Sequence, residues 1–380
     1  MIGVYKFNIF KHIFQNKVKK IYYIDCSSTS KKFLIPALNL LIETVERLNF
    51  KMMYIKGEDG ELVETRIGRS DMFDFQKEII SSDAYKDLRN LSWEQYGILD
   101  YINKALIDGY TFEDSPRKKI FTINVINWHM KKINVRQSIA FISLQPWLEL
   151  YVDYSKKYGI KLIDIPSDVF SINFRRILRG FPGLYQGLKN IKNEKLKKED
   201  FNDKTKVFIE GRGDLELINN GMHSDFFCIL NSEFSLKNVL IDYESVKEKK
   251  YFNEHGISSI DSNYIFYKNS DNNYKVPFVK YSSKYKDEYK EIKSILNSYN
   301  LYRQNWSSKF KQNNVRVFFS WYKFNSRHIA IADSISDNNG ISAVWQIGFD
   351  GFENVQMMIK SDIAFCFSSF SSSIDKKVNS

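Results

Sequence analysis

Tyr322, Lys323, Arg327 and His328 crowd into one short stretch that follows an apolar run, Val315–Trp321, and opens a segment with helical spacing. Side chains of that type, at the carboxyl end of a strand and the start of a helix, meet the positive end of the helix macrodipole. Cations are unfavourable there unless an anion balances them, so the expected chemistry is the binding of a phosphate or a carboxylate. Gln346 and Asp350 follow the next apolar run and can reach the same crevice, although Gln346 reads equally as a satisfied core amide. If Arg327 faces only a ligand, Arg327→Ala weakens binding and leaves stability nearly unchanged. The effect of His328→Gln then grows as pH falls, because imidazole gains its charge near neutrality.

Two upstream groups carry candidate chemistry. Gly211-Arg212-Gly213 follows the strand-like run Lys206–Glu210; its glycines allow close backbone approach, and the Arg212 fork suits a carboxylate or a phosphate. A tight turn without a ligand is the alternative, and Glu216 stands where a dinucleotide fingerprint would need its third glycine. His223-Ser224-Asp225 offers catalytic candidates: His223 as a base, Asp225 as an acceptor from vicinal hydroxyls. The same triplet also reads as an N-cap for the helix expected from Phe226. Nucleophile elbows, Walker motifs and metal-spaced His/Cys sets do not occur, so no metal and no cofactor is expected.

These residues need a scaffold. From Val315 to Phe370 the pattern runs strand, helix, strand, turn, helix, strand: Val315–Trp321, a helix stopped by Asn338-Asn339-Gly340, Ile341–Gln346, a short helix over Glu353–Lys360, and Ile363–Phe367. Right-handed crossovers make the three strands parallel, and ligands then bind beyond their carboxyl ends. The amino-terminal half alternates likewise. Ile21–Asp25 is a strand leading into Cys26-Ser27-Ser28-Thr29-Ser30, a loop that suits either N-capping or a phosphate, and Phe33–Leu48 a helix. Lys51–Lys56 is a second strand, residues 71–110 are helical, and Phe121–Ile133 is ambiguous. Ser138–Leu144 and Ile160–Ile165 flank a helix over Trp147–Tyr158. Further on come the strands Val239–Asp242 and Ile257–Ile260, the helix Glu244–Asn253, and a polar surface helix over Lys284–Ser298. The lysine-rich segment around 189–198 marks a boundary, giving domains 1–195 and 196–380, both α/β with mainly parallel sheets.

Composition narrows the function classes. The chain has 380 residues, 43% of them hydrophobic, enough for two cores, and a formal net charge of +11. The lysines are spread along it, so a specific nucleic-acid partner is not expected. Three cysteines lie far apart among apolar neighbours, which implies neither a disulfide framework nor a zinc site. No apolar run is long enough to span a bilayer. Residues 2–20 form either a basic amphipathic helix on a membrane surface or a terminal helix packed on the domain.

The pieces IEGRGDLELINNGMHSDFFCILNSEF, NVLIDYESVKEKKYFNEHGI, SWYKFNSRHIAIADSISDNNGISAVWQIGFDG and SDIAFCFSSFSS, in that order, resemble bacterial surface-polysaccharide biosynthesis proteins with a GT-B-type glycosyltransferase fold, over residues 20–370. The resemblance implies two Rossmann-like lobes, a nucleotide-sugar donor on one and a glycan acceptor on the other, and no obligatory metal. It also implies work in the cytoplasm, at the inner face of the membrane if the first helix lies there. Similar chains often continue into a further nucleotide-binding domain, whereas this one ends in a polar tail, Ser371–Ser380. Either residues 200–370 are the donor domain, or the protein is a shortened or non-catalytic sugar- or nucleotide-binding member of the pathway.

Overall fold

The computed structural model describes residues 20–24, 35–40, 42–44, 70–88, 98–108, 116–165, 205–211, 235–243, 245–262, 283–320, 326–346 and 358–379. They form two compact units. The first comprises 1–88, 109–176 and 281–291, and the second 89–108, 177–280 and 292–380. The expected cut at 195 lies outside the described residues. A linear reading does not anticipate the two exchanged segments, 89–108 and 281–291.

The first unit is built on a parallel sheet of four strands, β1 (Lys20–Tyr23), β2 (Glu43–Thr44), β3 (Ser138–Ser143) and β4 (Ile160–Ile165), in the order β2-β1-β3-β4. Its core gathers Ile21, Tyr23, Ile35, Leu38, Ile139, Phe141 and Ile165. All six side chains of β3 are buried, which is why the run SIAFIS does not alternate with polar residues. Its first helices are α1 (Ile35–Asn39), α2 (Ser70–Ser81) and α3 (Asp83–Leu88). The helix expected over 33–48 is therefore cut short, because Glu43 and Thr44 pair with β1 instead. The expected strand at 51–56 lies outside the described residues.

The helix α4 (Leu99–Asp108) belongs to the second unit, and α5 (Pro116–Lys132) settles the ambiguous run at 121–133 as helical. Tyr22 Oη lies 2.9 Å from His129 Nδ1, tying β1 to α5. After β3 comes α6 (Leu148–Lys156), where Tyr151 packs on Phe75 of α2 with ring centroids 4.9 Å apart. Tyr154 donates to Asp71 at 2.6 Å. Gly159 ends the turn after α6 at φ +69°, and a Cβ there would meet the Arg136 carbonyl at 2.5 Å. Gly159→Ala should thus destabilise the first unit by about 2 kcal/mol or more, left-handed strain and the clash adding together. Chemical denaturation checks this; an unchanged midpoint would show that the turn relaxes freely.

The second unit holds β5 (Lys206–Ile209), β6 (Val239–Tyr243), β7 (Ser258–Asp261), β8 (Val315–Ser320), β9 (Ile341–Trp345) and β10 (Ile363–Phe365). All pair in parallel, in the order β10-β9-β8-β5-β6-β7. Between β6 and β7 lies α7 (Val246–Glu254), opened by a capping box of Ser245 and Glu248. The long α8 (Lys286–Gln312) precedes β8, α9 (Arg327–Ser336) follows it, and α10 (Ser369–Asn379) comes last. Alternation along β5 divides the core between two faces. Phe208 packs with Leu240, Phe318, Trp306, Phe310, Ile331 and Ile335 under α8 and α9, while Ile209 packs with Val239, Ile241, Phe252 and Ile257 under α7.

Three expectations change here. The surface helix at 284–298 is a 27-residue helix whose Ile292, Leu296, Tyr299, Trp306 and Phe310 are buried. The tail at 371–380 is helical through Asn379, anchored by buried Ser371 and Ile374. The helix at 353–360 lies outside the described residues through 357, and 358–360 are not helical.

Candidate functional site

The second unit's strand order reverses between β5 and β8. From β5 the chain winds outward through β6 and β7, then returns to β8 on the other flank of β5 and continues through β9 and β10. A reversal of this kind makes a crevice beyond the carboxyl ends of the strands the usual ligand position, and here it falls at the ends of β5 and β8.

Five residues from three strand ends and one helix meet there. Glu210, just past β5, is fully buried, and its Oε2 accepts from Ser320 Oγ at the end of β8 over 2.8 Å. Gly211 donates its backbone N–H to Asp242 Oδ1 on β6 at 2.8 Å. The other Asp242 oxygen, Oδ2, faces Arg327 Nη2 at 3.5 Å. A Cβ at Gly211 would lie 3.1 Å from the Asp242 carbonyl oxygen and from the Ile241 side chain, so glycine lets β5 exit tightly against β6. Arg327 opens α9, and its guanidinium lies 5.4 Å from the centre of the Trp306 ring. Lys309 Nζ lies over the same ring at 4.4 Å.

The charges explain one another. A cation in the first turn of a helix opposes the macrodipole, and here a carboxylate of the protein, Asp242, supplies part of the balance. Lys309 is fully buried, donating to the carbonyls of Asp261 and Ser262 at 3.0 and 3.3 Å. Burial, reinforced by the neighbouring Arg327 charge and opposed by Asp242 and Asp261, brings its amine down to about 7. The unfolded chain, with an ordinary lysine, holds that proton more tightly. Stability from this group is therefore fully present above about pH 10.5 and is lost as pH falls toward 7. Urea melts at both ends of that window should show the wild type gaining stability with pH and Lys309→Met gaining less. Equal gains would place the Lys309 charge in solvent.

Of the residues singled out from sequence, Arg327 takes part in this crevice. His328, its neighbour, is fully buried, and its Nε2 accepts from the Lys360 N–H at 3.2 Å. Gln346 is likewise a core amide, donating to Ser371 Oγ at 3.2 Å and accepting from the Phe367 N–H at 2.8 Å. Arg212, His223, Asp225, Tyr322, Lys323 and Asp350 lie outside the described residues, as does the helix expected at 2–20 up to residue 19, Lys20 itself opening β1.

Sequence reasoning did not single out Glu210, Asp242, Ser320 or Lys309. A signal existed for the first two. Each acid closes a strand-like run, VFIE and VLID, and the position beyond a buried parallel strand is where a charge can sit in a crevice. No signal in the lysine-rich surroundings sets Lys309 apart.

Comparison with protein-family models, with curated proteins and with solved structures finds no significant match to this chain. Among the described residues no helix is long and apolar enough to cross a membrane.

Proposed function

We propose that this chain is a glycosyltransferase-like protein of bacterial surface-polysaccharide biosynthesis, whose second unit holds the diphosphate of a nucleotide-sugar donor. The reading rests on one observation. A six-stranded parallel sheet reverses its order between β5 and β8, and an arginine opens the helix directly after β8. Nucleotides bind at such reversals, with phosphates drawn to helix amino-termini and to guanidinium forks. The residue sequence IEGRGD at β5 and the order of the later pieces support the choice of donor class by resemblance.

The engagement of Glu210 by Ser320, and of Asp242 by Gly211 and Arg327, favours a second reading. In it the crevice binds nucleotide or sugar without transfer, both carboxylates serving to hold the strand ends. Calorimetry and thermal shift with UDP, GDP and CMP, and with their sugar conjugates, test both readings. A ligand at a hundredfold its Kd adds about 2.7 kcal/mol of stability, a rise of several degrees. Binding with slow donor hydrolysis supports transfer, and binding without it supports the second reading. No response to any nucleotide or nucleotide sugar at millimolar concentration would sink the donor reading and leave the second only with a free sugar, which the same melts with glucose and N-acetylglucosamine test.

A further inference from the structure

We propose that the outer edge of the second unit's sheet, strand β10, is an interface through which two copies of this chain pair edge to edge about a two-fold axis. β10 stands at the end of the order β10-β9-β8-β5-β6-β7, and among the described strands it pairs with β9 alone. Strands of an all-parallel sheet are ordinarily covered on both faces. In β10 Ile363, Ala364 and Phe365 are all exposed, and successive side chains point to opposite faces, so both faces lie open. The exposure continues past the strand: Phe365, Phe367 and Phe370 are 55%, 59% and 56% exposed.

A sheet edge open to solvent is usually guarded by a lysine, a proline or an inward-pointing charge. From Ile363 to Ile374 the chain reads IAFCFSSFSSSI, with neither a charge nor a proline. So apolar and unguarded an edge marks a contact surface. The strand is short, three residues, which limits the backbone ladder and leaves most of the contact to the phenylalanines.

The occupant follows from the same chemistry. Antiparallel pairing of two identical edges sets this run against itself, and because the run holds no charge, the two-fold axis brings no like charges together. A membrane would cover the rings but leave the edge's backbone N–H and C=O groups without partners in hydrocarbon. A charged peptide would find no counter-charge along the run. Three phenylalanines, each a little over half exposed, offer roughly 300 Å² per chain, so two copies bury about 600 Å² from the rings alone. With Ile363, Ala364 and the backbone the total approaches the roughly 1,000 Å² of a weak, reversible contact.

The contact needs no nucleotide, so it is tested apart from the donor reading. Sedimentation of the full chain from about 1 to 300 µM should show a monomer–dimer equilibrium with a Kd on the order of 10–100 µM. Phe365→Lys sets two like charges close to the axis and should weaken the dimer by about tenfold or more. The melting temperature of the monomer should change little, since the side chain is exposed. If that variant does not fold, Phe367→Lys carries the same test. Cys366 lies between the two phenylalanines. A short bismaleimide should therefore join Cys366 to Cys366 across the dimer, as peptide mapping reads, and the product should vanish in Cys366→Ser. A chain that stays monomeric throughout that range and floats with phosphatidylglycerol vesicles would assign the patch to lipid and overturn the proposal, as would a monomer that binds no vesicle. A dimer that survives Phe365→Lys and cross-links elsewhere would overturn it too.

Discussion

Arg327→Ala should weaken nucleoside diphosphate binding by about 10- to 100-fold, the loss of one or two charge-assisted hydrogen bonds of roughly 1.5–3 kcal/mol. Unlike a residue that faces only a ligand, it should also cost stability. Its departure leaves Asp242, whose side chain is 5% exposed, with the Gly211 N–H and without the guanidinium 3.5 Å away. A buried carboxylate deprived of a partner costs about 1–3 kcal/mol. Pairing Arg327→Ala with Asp242→Asn separates the two effects, because the amide no longer needs a cation. The double variant should recover much of the melting temperature and none of the affinity. If Arg327→Ala keeps full affinity and only melts lower, the arginine is a strap between α9 and β6 and the anion-binding role fails. If stability is untouched, the ion pair with Asp242 contributes nothing measurable.

The largest loss of stability should come from Arg303, away from the crevice. From α8 it makes a two-pronged contact with Asp337, Nε to Oδ2 at 2.8 Å and Nη2 to Oδ1 at 2.7 Å. Its Nη1 also donates to Tyr299 Oη at 2.6 Å. Tyr299 in turn donates to Asp333 Oδ2 at 2.7 Å, and Lys360 Nζ meets Asp333 Oδ1 at 2.6 Å. The Arg303 and Asp337 side chains are 8% and 15% exposed. Removing one member of so buried a pair strands the other charge, at about 3–5 kcal/mol. Arg303→Met should therefore lower the second unit's melting temperature by about 6–20 °C. Asp337→Asn in the Arg303→Met background should cost far less than in the wild type. A fall of one or two degrees in Arg303→Met would show that the network is solvated in solution.

Periodicity made the parallel strands readable: VRVFFS, SIAFIS and VLIDY are β-branched or aromatic runs between turn residues, and each is a strand. What escaped was whatever depends on distant partners. Glu43 and Thr44 carry no strand signal of their own, and they pair because β1 offers an edge. The polar face of α8 reads as surface because Asn, Ser and Lys interrupt it, yet Arg303 and Lys309 are buried by what they meet on other elements. The crevice was half legible. Arg327 stands out because a cation at a helix start contradicts local electrostatics, and that contradiction is visible in one dimension. Its actual counter-charge, 85 residues away, was not. His328 looked equally eligible, since neighbouring positions on a helix differ by about 100° and sequence does not say which faces the core.

The exchange of segments between the two units bears on how the protein is made. On the ribosome the first unit's sheet can assemble early, but its last piece, 281–291, emerges more than a hundred residues after 176. The second unit's central pairing, β5 with β8, joins Ile209 to Phe319 and waits through a similar length of synthesis. At roughly 5–20 residues per second that is about 5–20 s, during which one side of β5 stays open and apolar. Contacts so distant in the chain also slow folding once synthesis is over, because loop closure must precede any reward from pairing. Yield on expression should therefore respond to growth temperature and to chaperone supply more strongly than the stability of the finished protein alone would suggest.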